Sequence, residues 1–429
     1  MNPNQIIGVD FGSDRIMALA AEFQKDDSVK ILAEESKPSS DTRHGIIEQV
    51  SGAAFKLNEL ARLLQNKAKI HEINRMSTSV GAKSMKSYLF SVSRFTGHSK
   101  IVTKKLMDEM TEECEKKFRL QGVEVFEIFP ISYELDGEFV AKPENAKAVQ
   151  IKTEYNVVVG NPVIKLKLDG CFDRSGIILE TRIISPVAFA TAVTEDSDRI
   201  DGCAVISFGN STTILAIYYD DILLNTLVVP LGGRNISKDI EELGISYTNA
   251  ERLKLVKGCA LERLVEKPVS VRISALQPDE SPVNISTDFL ATIIEARLDE
   301  IFQPILPVIE EYKEYINCGI VLTGGASKLN GITAYVTEKT GIEARPGDHS
   351  GWLSNDTDPR YFEPAYSEVI GTILMTRDFR DKHPVTIPPK EPKIKKTIKE
   401  RVEHKIMNFF NDENLMDDHQ RPPKGNDNI

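Results

Sequence analysis

Asp10 stands between the apolar run Ile6-Ile-Gly-Val9 and the small-residue turn Phe11-Gly12-Ser13. A carboxylate so placed can hold a hydrated magnesium ion beside backbone N–H groups that grip phosphate. A second turn of the same kind, Gly209-Asn-Ser-Thr-Thr213, follows Phe208 and again joins two apolar runs. A third glycine-bearing element, Gly319-Ile-Val-Leu-Thr-Gly324-Gly325-Ala-Ser-Lys-Leu-Asn-Gly331, reads as a strand that runs into glycines and then a helix, where backbone can approach a ligand closely. One Asp-Phe-Gly-Ser turn alone is usually a plain hairpin. Three glycine-bearing turns in this order point to one nucleotide cleft.

The elements that must carry these turns follow from periodicity. The first turn joins two strands, Val29–Ala33 supplies a third, and from Gln49 to Lys69 the positions Phe55, Leu57, Leu60, Leu63 and Leu64 recur at helical spacing. Between Lys83 and Leu179 the rhythm changes: a charged helix near Val102–Leu120 and strand-like runs at Glu124–Ile131 and Val149–Val159 describe an inserted subdomain. Strand, turn and strand return at Cys203–Tyr219 and continue through Ile222–Val229. Helices are expected at Asn235–Leu243 and Thr248–Lys257, and a long one from Thr287 to about Ile309. The same supersecondary unit thus occurs twice, the mark of an internal duplication.

The length of 429 residues calls for about three folding units or two large ones, and 41% hydrophobic with 27% charged residues describes an ordinary globular chain. A net charge of −11 disfavours nonspecific binding to nucleic acid, and no nucleic-acid partner is expected. Cys114, Cys171, Cys203, Cys259 and Cys318 lie at least 32 residues apart, the pattern of reduced thiols. The histidines form no cluster, and His44, His71 and His98 read as ordinary surface or core residues. Met1 to Asp14 holds no basic segment followed by an apolar one, so no secretory signal is expected. Gly202–Tyr219 runs 18 residues without a charge, but its polar centre makes it two strands and a bend, so no transmembrane segment is expected.

On these residues the chain resembles the actin-like ATPase superfamily and, within it, the FtsA family of bacterial cell division. Gly8-Val-Asp-Phe-Gly-Ser13 corresponds to that family's first phosphate motif, Gly209-Asn-Ser-Thr-Thr213 to its second, and Val321-Leu-Thr-Gly-Gly-Ala-Ser-Lys-Leu-Asn-Gly-Ile332 to its adenosine motif. Pro230-Leu-Gly-Gly233, Ser237-Lys-Asp-Ile240 and Ala250-Glu-Arg-Leu-Lys-Leu-Val-Lys-Gly258 agree further. The resemblance implies an α/β, ribonuclease H-like, two-lobed actin-like fold with an FtsA-type (SHS2-like) insert. Subdomain 1A would take 1–82, 180–202 and 362–381; the inserted subdomain 1C 83–179; 2A 203–232 and 312–361; and 2B 233–311. It implies that ATP with Mg is held at the phosphates by Asp10, Gly12, Ser13, Arg15, Gly209, Asn210, Ser211, Thr212 and Thr213. Gly232, Gly233, Glu251, Lys254, Gly324, Gly325, Ala326 and Ser327 would surround the adenosine, and Asp10 would hold the metal, directly or through water.

The chain departs from the family at the reaction centre. The second motif usually reads Asp-Ile-Gly-Gly-Gly-Thr-Thr-Asp and here reads Ser207-Phe-Gly-Asn210-Ser211-Thr-Thr-Ile214, so both carboxylates are gone. The Glu-Pro that begins the connecting helix is Ser185-Pro186. Asp10 is left as the expected acid, and loss of such groups commonly costs roughly 10² to 10⁴ in rate. ATP is therefore expected as a structural ligand, hydrolysed slowly or not at all, with Asp14 as a possible compensating acid.

Pro384, Pro388, Pro389 and Pro392 mark a linker over 382–392. In 393–410, Ile394, Ile398, Val402, Ile406, Phe409 and Phe410 share one helical face. Lys390 to Lys405 carries seven basic and three acidic residues, net +4. Such a helix suits an anionic membrane surface, and the tail 411–429 is polar and expected to be disordered. The resemblance implies a scaffold on the cytoplasmic face of the bacterial inner membrane, at the division septum. It would polymerise with itself, tether the FtsZ ring by binding the FtsZ C-terminal tail at Arg297, and recruit downstream divisome proteins. The alternatives are a PilM-like pilus-assembly scaffold and an active ATPase or kinase of the same superfamily.

Overall fold

The computed structural model describes residues 2–277 and 281–382, which form one compact unit. The expected membrane-targeting residues Ile394 to Phe410, most of the proline linker and the tail lie outside the described residues. Among the described residues no helix is long and apolar enough to cross a membrane.

The chain opens with β1 (Gln5–Phe11), β2 (Arg15–Phe23) and β3 (Val29–Pro38), a meander in which Asp10 faces Met17 and Phe11 faces Ile16. Helix α1 (Val50–Ala68) follows and buries Ala53, Ala54, Leu57, Leu60, Ala61 and Leu64, a stripe at three- and four-residue spacing. Phe55, counted with the apolar positions in the sequence reading, is 65% exposed because it lies off that stripe. Strand β4 (Arg75–Val80) then pairs parallel with β1.

Strand β5 (Lys86–Ile101), which the sequence reading passed over, begins the inserted subdomain. It pairs antiparallel with β7 (Lys147–Gly160), which pairs in turn with β6 (Glu124–Leu135). Helix α2 (Lys104–Arg119), capped by the Thr103 side chain, buries Met110, Cys114 and Phe118 in a separate small core with Tyr155 and Val157. β5 escaped notice because it is mostly exposed, with Val92 its one buried residue, and its polar-rich sequence forms no apolar run.

Helix α3 (Pro162–Ser175) packs back on α1, and β8 (Ile178–Ile184) joins the first sheet, giving the order β8-β4-β1-β2-β3. Helix α4 (Ser185–Val193) starts immediately after β8. The second meander is β9 (Cys203–Phe208), β10 (Thr213–Tyr219) and β11 (Ile222–Val229). Helices α5 (Gly233–Glu241), α6 (Tyr247–Lys257) and α7 (Thr287–Phe302) then cover the second sheet. Helix α7 stops at Phe302, not near Ile309; Pro304 cannot donate to the helical ladder, and a separate short helix, Leu306–Glu311, follows. Strand β12 (Ile320–Thr323) pairs parallel with β9, α8 (Ile332–Thr340) crosses over, and β13 (Ala344–Pro346) pairs with β12.

The second sheet therefore runs β13-β12-β9-β10-β11, the same order and directions as the first, and β5-β7-β6 extend its far edge through β11. The last helix, α9 (Ser367–Lys382), returns to the first half and lies across α4 and β1. The two helices touch at Gly371, where an added Cβ would sit 1.7 Å from the Ala188 carbonyl. Only glycine allows so close a crossing.

Candidate functional site

Each meander closes on a turn of the same construction. In the first, Phe11 pairs with Ile16 and Gly12 to Arg15 form the loop; in the second, Phe208 pairs with Thr213 and Gly209 to Thr212 form it. A Cβ on Gly12 would come within 2.8 Å of the Arg15 carbonyl, and one on Gly209 within 2.9 Å of the Thr212 carbonyl. Both loops are thus tight, and the close backbone approach at each is one that glycine admits.

The turns face one another. Ser13 Oγ touches Ser211 Oγ across the gap, while the His44 N–H donates to Ser211 Oγ at 3.2 Å and His44 Nδ1 donates to the Ser211 carbonyl at 2.9 Å. His44, read from the sequence as ordinary, sits at the seam between the halves. Its left-handed φ of 50° ahead of Gly45 was the only local sign of a special position.

Behind the turns lies a cavity of about 370 Å³. Of the phosphate residues expected from sequence, Asp10, Gly12, Ser13, Arg15, Gly209, Asn210, Ser211 and Thr212 line it, as does Asp14. Thr213 does not: it is fully buried, with Oγ1 donating to the Leu231 carbonyl at 2.9 Å. Of the adenosine residues, Gly233, Glu251, Lys254, Gly324, Gly325 and Ala326 line the cavity. Gly232 lies behind the second turn, where a Cβ would meet the Gly209 carbonyl at 2.6 Å, and Ser327 Oγ turns back to the Gly324 carbonyl at 2.7 Å.

Lys254 is buried beneath this end, donating to the Gly233 carbonyl at 2.9 Å, Ser237 Oγ at 2.8 Å and Glu251 Oε2 at 2.8 Å. Burial pushes its amine below the usual lysine range, and the Glu251 carboxylate partly offsets this. Gly324 has φ 85°, and a Cβ there would lie 2.6 Å from the Phe208 carbonyl, so the Gly324-Gly325 loop and the second turn are built against one another.

At the opposite end Asp10 is half-buried, and its carboxyl is pushed up to about 7, first by burial and then by the neighbouring Glu368 carboxylate, with Arg15 pulling the other way. Glu368 is the functional candidate the sequence reading missed. It stands in the first turn of α9 and lines the cavity, where Oε1 accepts from Ser79 Oγ at 2.6 Å and from Ser185 Oγ at 2.5 Å. An acid in a first helical turn is commonplace, so nothing local marked it. The count of acids at this end is therefore not Asp10 alone. Two carboxylates with the hydroxyls of Ser79 and Ser185 make a set of hard oxygen donors that fits Mg²⁺.

Arg297 lies away from the cavity. It holds Asp239 through Nε and Nη2 at 2.5 and 2.7 Å and Glu300 through Nη1 at 2.5 Å. These partners keep its guanidinium charged.

Residues 204–371 match the family model described as Cell division protein FtsA. The FtsA of Neisseria meningitidis serogroup B is 26% identical over 379 residues, covering 85% of this chain and 88% of that protein. The FtsA of Borreliella burgdorferi is 24% identical over 382 residues, covering 87% and 91%. This chain is similar to FtsA. Its fold is actin-like: the PilM–PilN type IV pilus biogenesis complex superposes with a TM-score of 0.62 at 15% identity, covering 87% of this chain and 98% of that one. MreB5 of Spiroplasma citri bound to ADP does so with 0.54 at 12% identity, covering 88% and 98%. At these identities the two structures speak for the fold alone.

Proposed function

We propose that this chain binds ATP between its two hairpin turns, assembles with copies of itself, and tethers the FtsZ ring to the cytoplasmic face of the membrane at the division septum. Hydrolysis is weak or absent. The observation that carries the nucleotide reading is the pair of four-residue turns facing each other across one cavity, with Asp10 at one end and the Gly233–Lys254–Gly324 cluster at the other. MreB5 of Spiroplasma citri, of the same fold, is bound to ADP in one structure and to AMPPNP in another.

When bound, Mg²⁺ would neutralise phosphate charge and order water around it. The protein's own contribution is to grip phosphate through the turn N–H groups, hold the metal's hydration shell at Asp10, and enclose the adenosine between Glu251, Lys254 and the Gly324-Gly325 backbone. Weak turnover follows from Ser207 and Ile214, which offer no carboxylate to orient attacking water.

The tether rests on the sequence of 393–410, whose basic and apolar residues suit an anionic surface. The acidic residues that follow it oppose binding to the same lipids, so many weak contacts gathered in a polymer would supply the avidity. Arg297 remains the candidate contact for an acidic FtsZ tail, which would have to displace Asp239.

The test is sedimentation of FtsZ with anionic liposomes and MgATP, using the full chain and a truncation ending at Pro389. FtsZ should pellet only with the full chain. If the full chain leaves FtsZ in the supernatant with and without MgATP, the tethering role fails and the pilus-scaffold reading gains ground.

A further inference from the structure

The FtsA resemblance implies an acid at the start of the helix that connects the two halves, and the chain has Ser185 there. The structure brings an acid to the same place from elsewhere. Ser185 is the first residue of α4, Glu368 the second of α9, and the two helices cross at Ala188 and Gly371, three residues further along each. One turn back from so close a crossing, the two side chains must meet, and Ser185 Oγ donates to Glu368 Oε1 at 2.5 Å.

Three further observations aim this carboxylate at the cavity. Ser79 Oγ, at the end of the strand beside β1, donates to the same oxygen at 2.6 Å. Glu368 lines the cavity together with Asp10, Ser79 and Ser185. Among the described residues no lysine, arginine or histidine forms an ion pair with Glu368, so its charge is not spent on a structural salt bridge. A carboxylate held by two hydroxyls and sharing a cavity with Asp10 is a half-built cation site.

We propose that Glu368 replaces the carboxylate absent at Ser185 and, with Asp10, holds the hydrated divalent cation that accompanies the nucleotide. This rests on the nucleotide reading given above and deepens it. The role is metal holding through water, with Ser79 and Ser185 as positioning residues, and it requires no turnover. It therefore agrees with weak hydrolysis caused by Ser207 and Ile214.

The experiment titrates the full chain with a fluorescent N-methylanthraniloyl-ATP, once with MgCl₂ and once with EDTA. Glu368→Gln is the first variant, since an amide oxygen still accepts from Ser79 and Ser185 and the crossing at Gly371 is untouched. Wild type should bind more tightly with Mg²⁺ than with EDTA, by roughly 10-fold, as expected for groups that hold a metal's outer shell. Glu368→Gln should lose most of that difference while binding the EDTA form unchanged. Moving the carboxylate back, in Ser185→Glu combined with Glu368→Gln, should restore it. Thermal melts with and without Mg-nucleotide give a second readout for each protein.

Full Mg²⁺ dependence in Glu368→Gln, with loss in Asp10→Asn, would overturn the proposal and leave the nucleotide reading intact. A double variant that regains nothing, despite a wild-type melting temperature, would also overturn it. If wild type binds the probe under neither condition, the nucleotide reading fails and the role of Glu368 falls with it.

Discussion

The two halves share strand order, register and a four-residue turn, yet they contribute different chemistry to the cavity between them. The first half supplies two carboxylates. Asp10 ends β1, and Glu368 reaches the same point from α9, which packs on that half. The second half places Ser207 where the first has Asp10, and its charged lining residues, Glu251, Lys254 and Lys328, stand instead towards Gly233 and Gly324. Adjacent residues of α9 divide along the same line. Glu368 accepts from Ser79 beside β1, whereas the fully buried Thr323 beside β9 donates to Ser367 Oγ at 2.9 Å. A duplicated scaffold thus keeps its shape under tight backbone constraints, while the acid at the end of its first strand is kept in one half, as Asp10, and replaced in the other by Ser207.

The largest effect separates two glycines that end corresponding strands. Gly324→Ala combines a positive φ with a clash against the Phe208 backbone, whereas at Gly81 an added Cβ meets side chains alone, Ile214 Cδ1 at 2.5 Å and Ser185 Oγ and Cβ at 2.6 and 2.7 Å. Gly324→Ala should cost about 3 kcal/mol and Gly81→Ala about 1 kcal/mol in chemical denaturation. Equal costs would mean that the two strand ends are built alike after all.

Next comes the charge asymmetry. Asp10→Ala should weaken Mg-nucleotide binding by roughly 10-fold or more, a loss of about 1.4 kcal/mol, and Ser207→Ala by less than about 3-fold. Comparable losses at both positions would break the comparison.

The seam between the halves offers a pH handle. His349 is buried, with Nε2 donating to the Tyr361 carbonyl at 2.6 Å and Nδ1 accepting from Ser367 Oγ at 3.0 Å. Burial pushes its pKa below the ordinary histidine value, with Tyr361 and Asp348 pulling the other way. The unfolded chain then binds more protons, so stability is lost as pH falls through about 6.5 and is fully present above it. His349→Gln should cost about 1 kcal/mol at pH 8 for the disturbed hydrogen bonds and should flatten the decline between pH 7 and 5.

The smallest effect lies away from the cleft. Arg297→Ala removes partly exposed ion pairs and should destabilise by about 0.5 kcal/mol. A larger loss, by thermal melt, would make Arg297 a structural residue first and weaken its candidacy for an acidic peptide.

Much of this was legible in the sequence because it is local. Strand, turn and strand around Asp10 and around Gly209, the helix Tyr247–Lys257, and the strand running into Gly324 all follow from apolar spacing and glycine placement within a dozen residues. Where the reading slipped, a local signal was overridden or weak. Pro304 stopped α7 early, Phe55 pointed to water despite its type, and the polar-rich sequence of β5 resembled no apolar run.

By itself the sequence determined the paired turns, the glycines that make them tight, the loss of acids at Ser185, Ser207 and Ile214, and the family likeness those motifs carry. Only the tertiary structure decided that Glu368 stands beside Ser185, that His44 and Ser211 meet across the seam, and that Arg297 is already engaged by Asp239. The reason is physical. Backbone preference and hydrophobic period act over a few residues, but the cleft is assembled from segments far apart in the chain. The partner a carboxylate finds there is set by how closely two helices can cross, and here a glycine on one of them sets that distance.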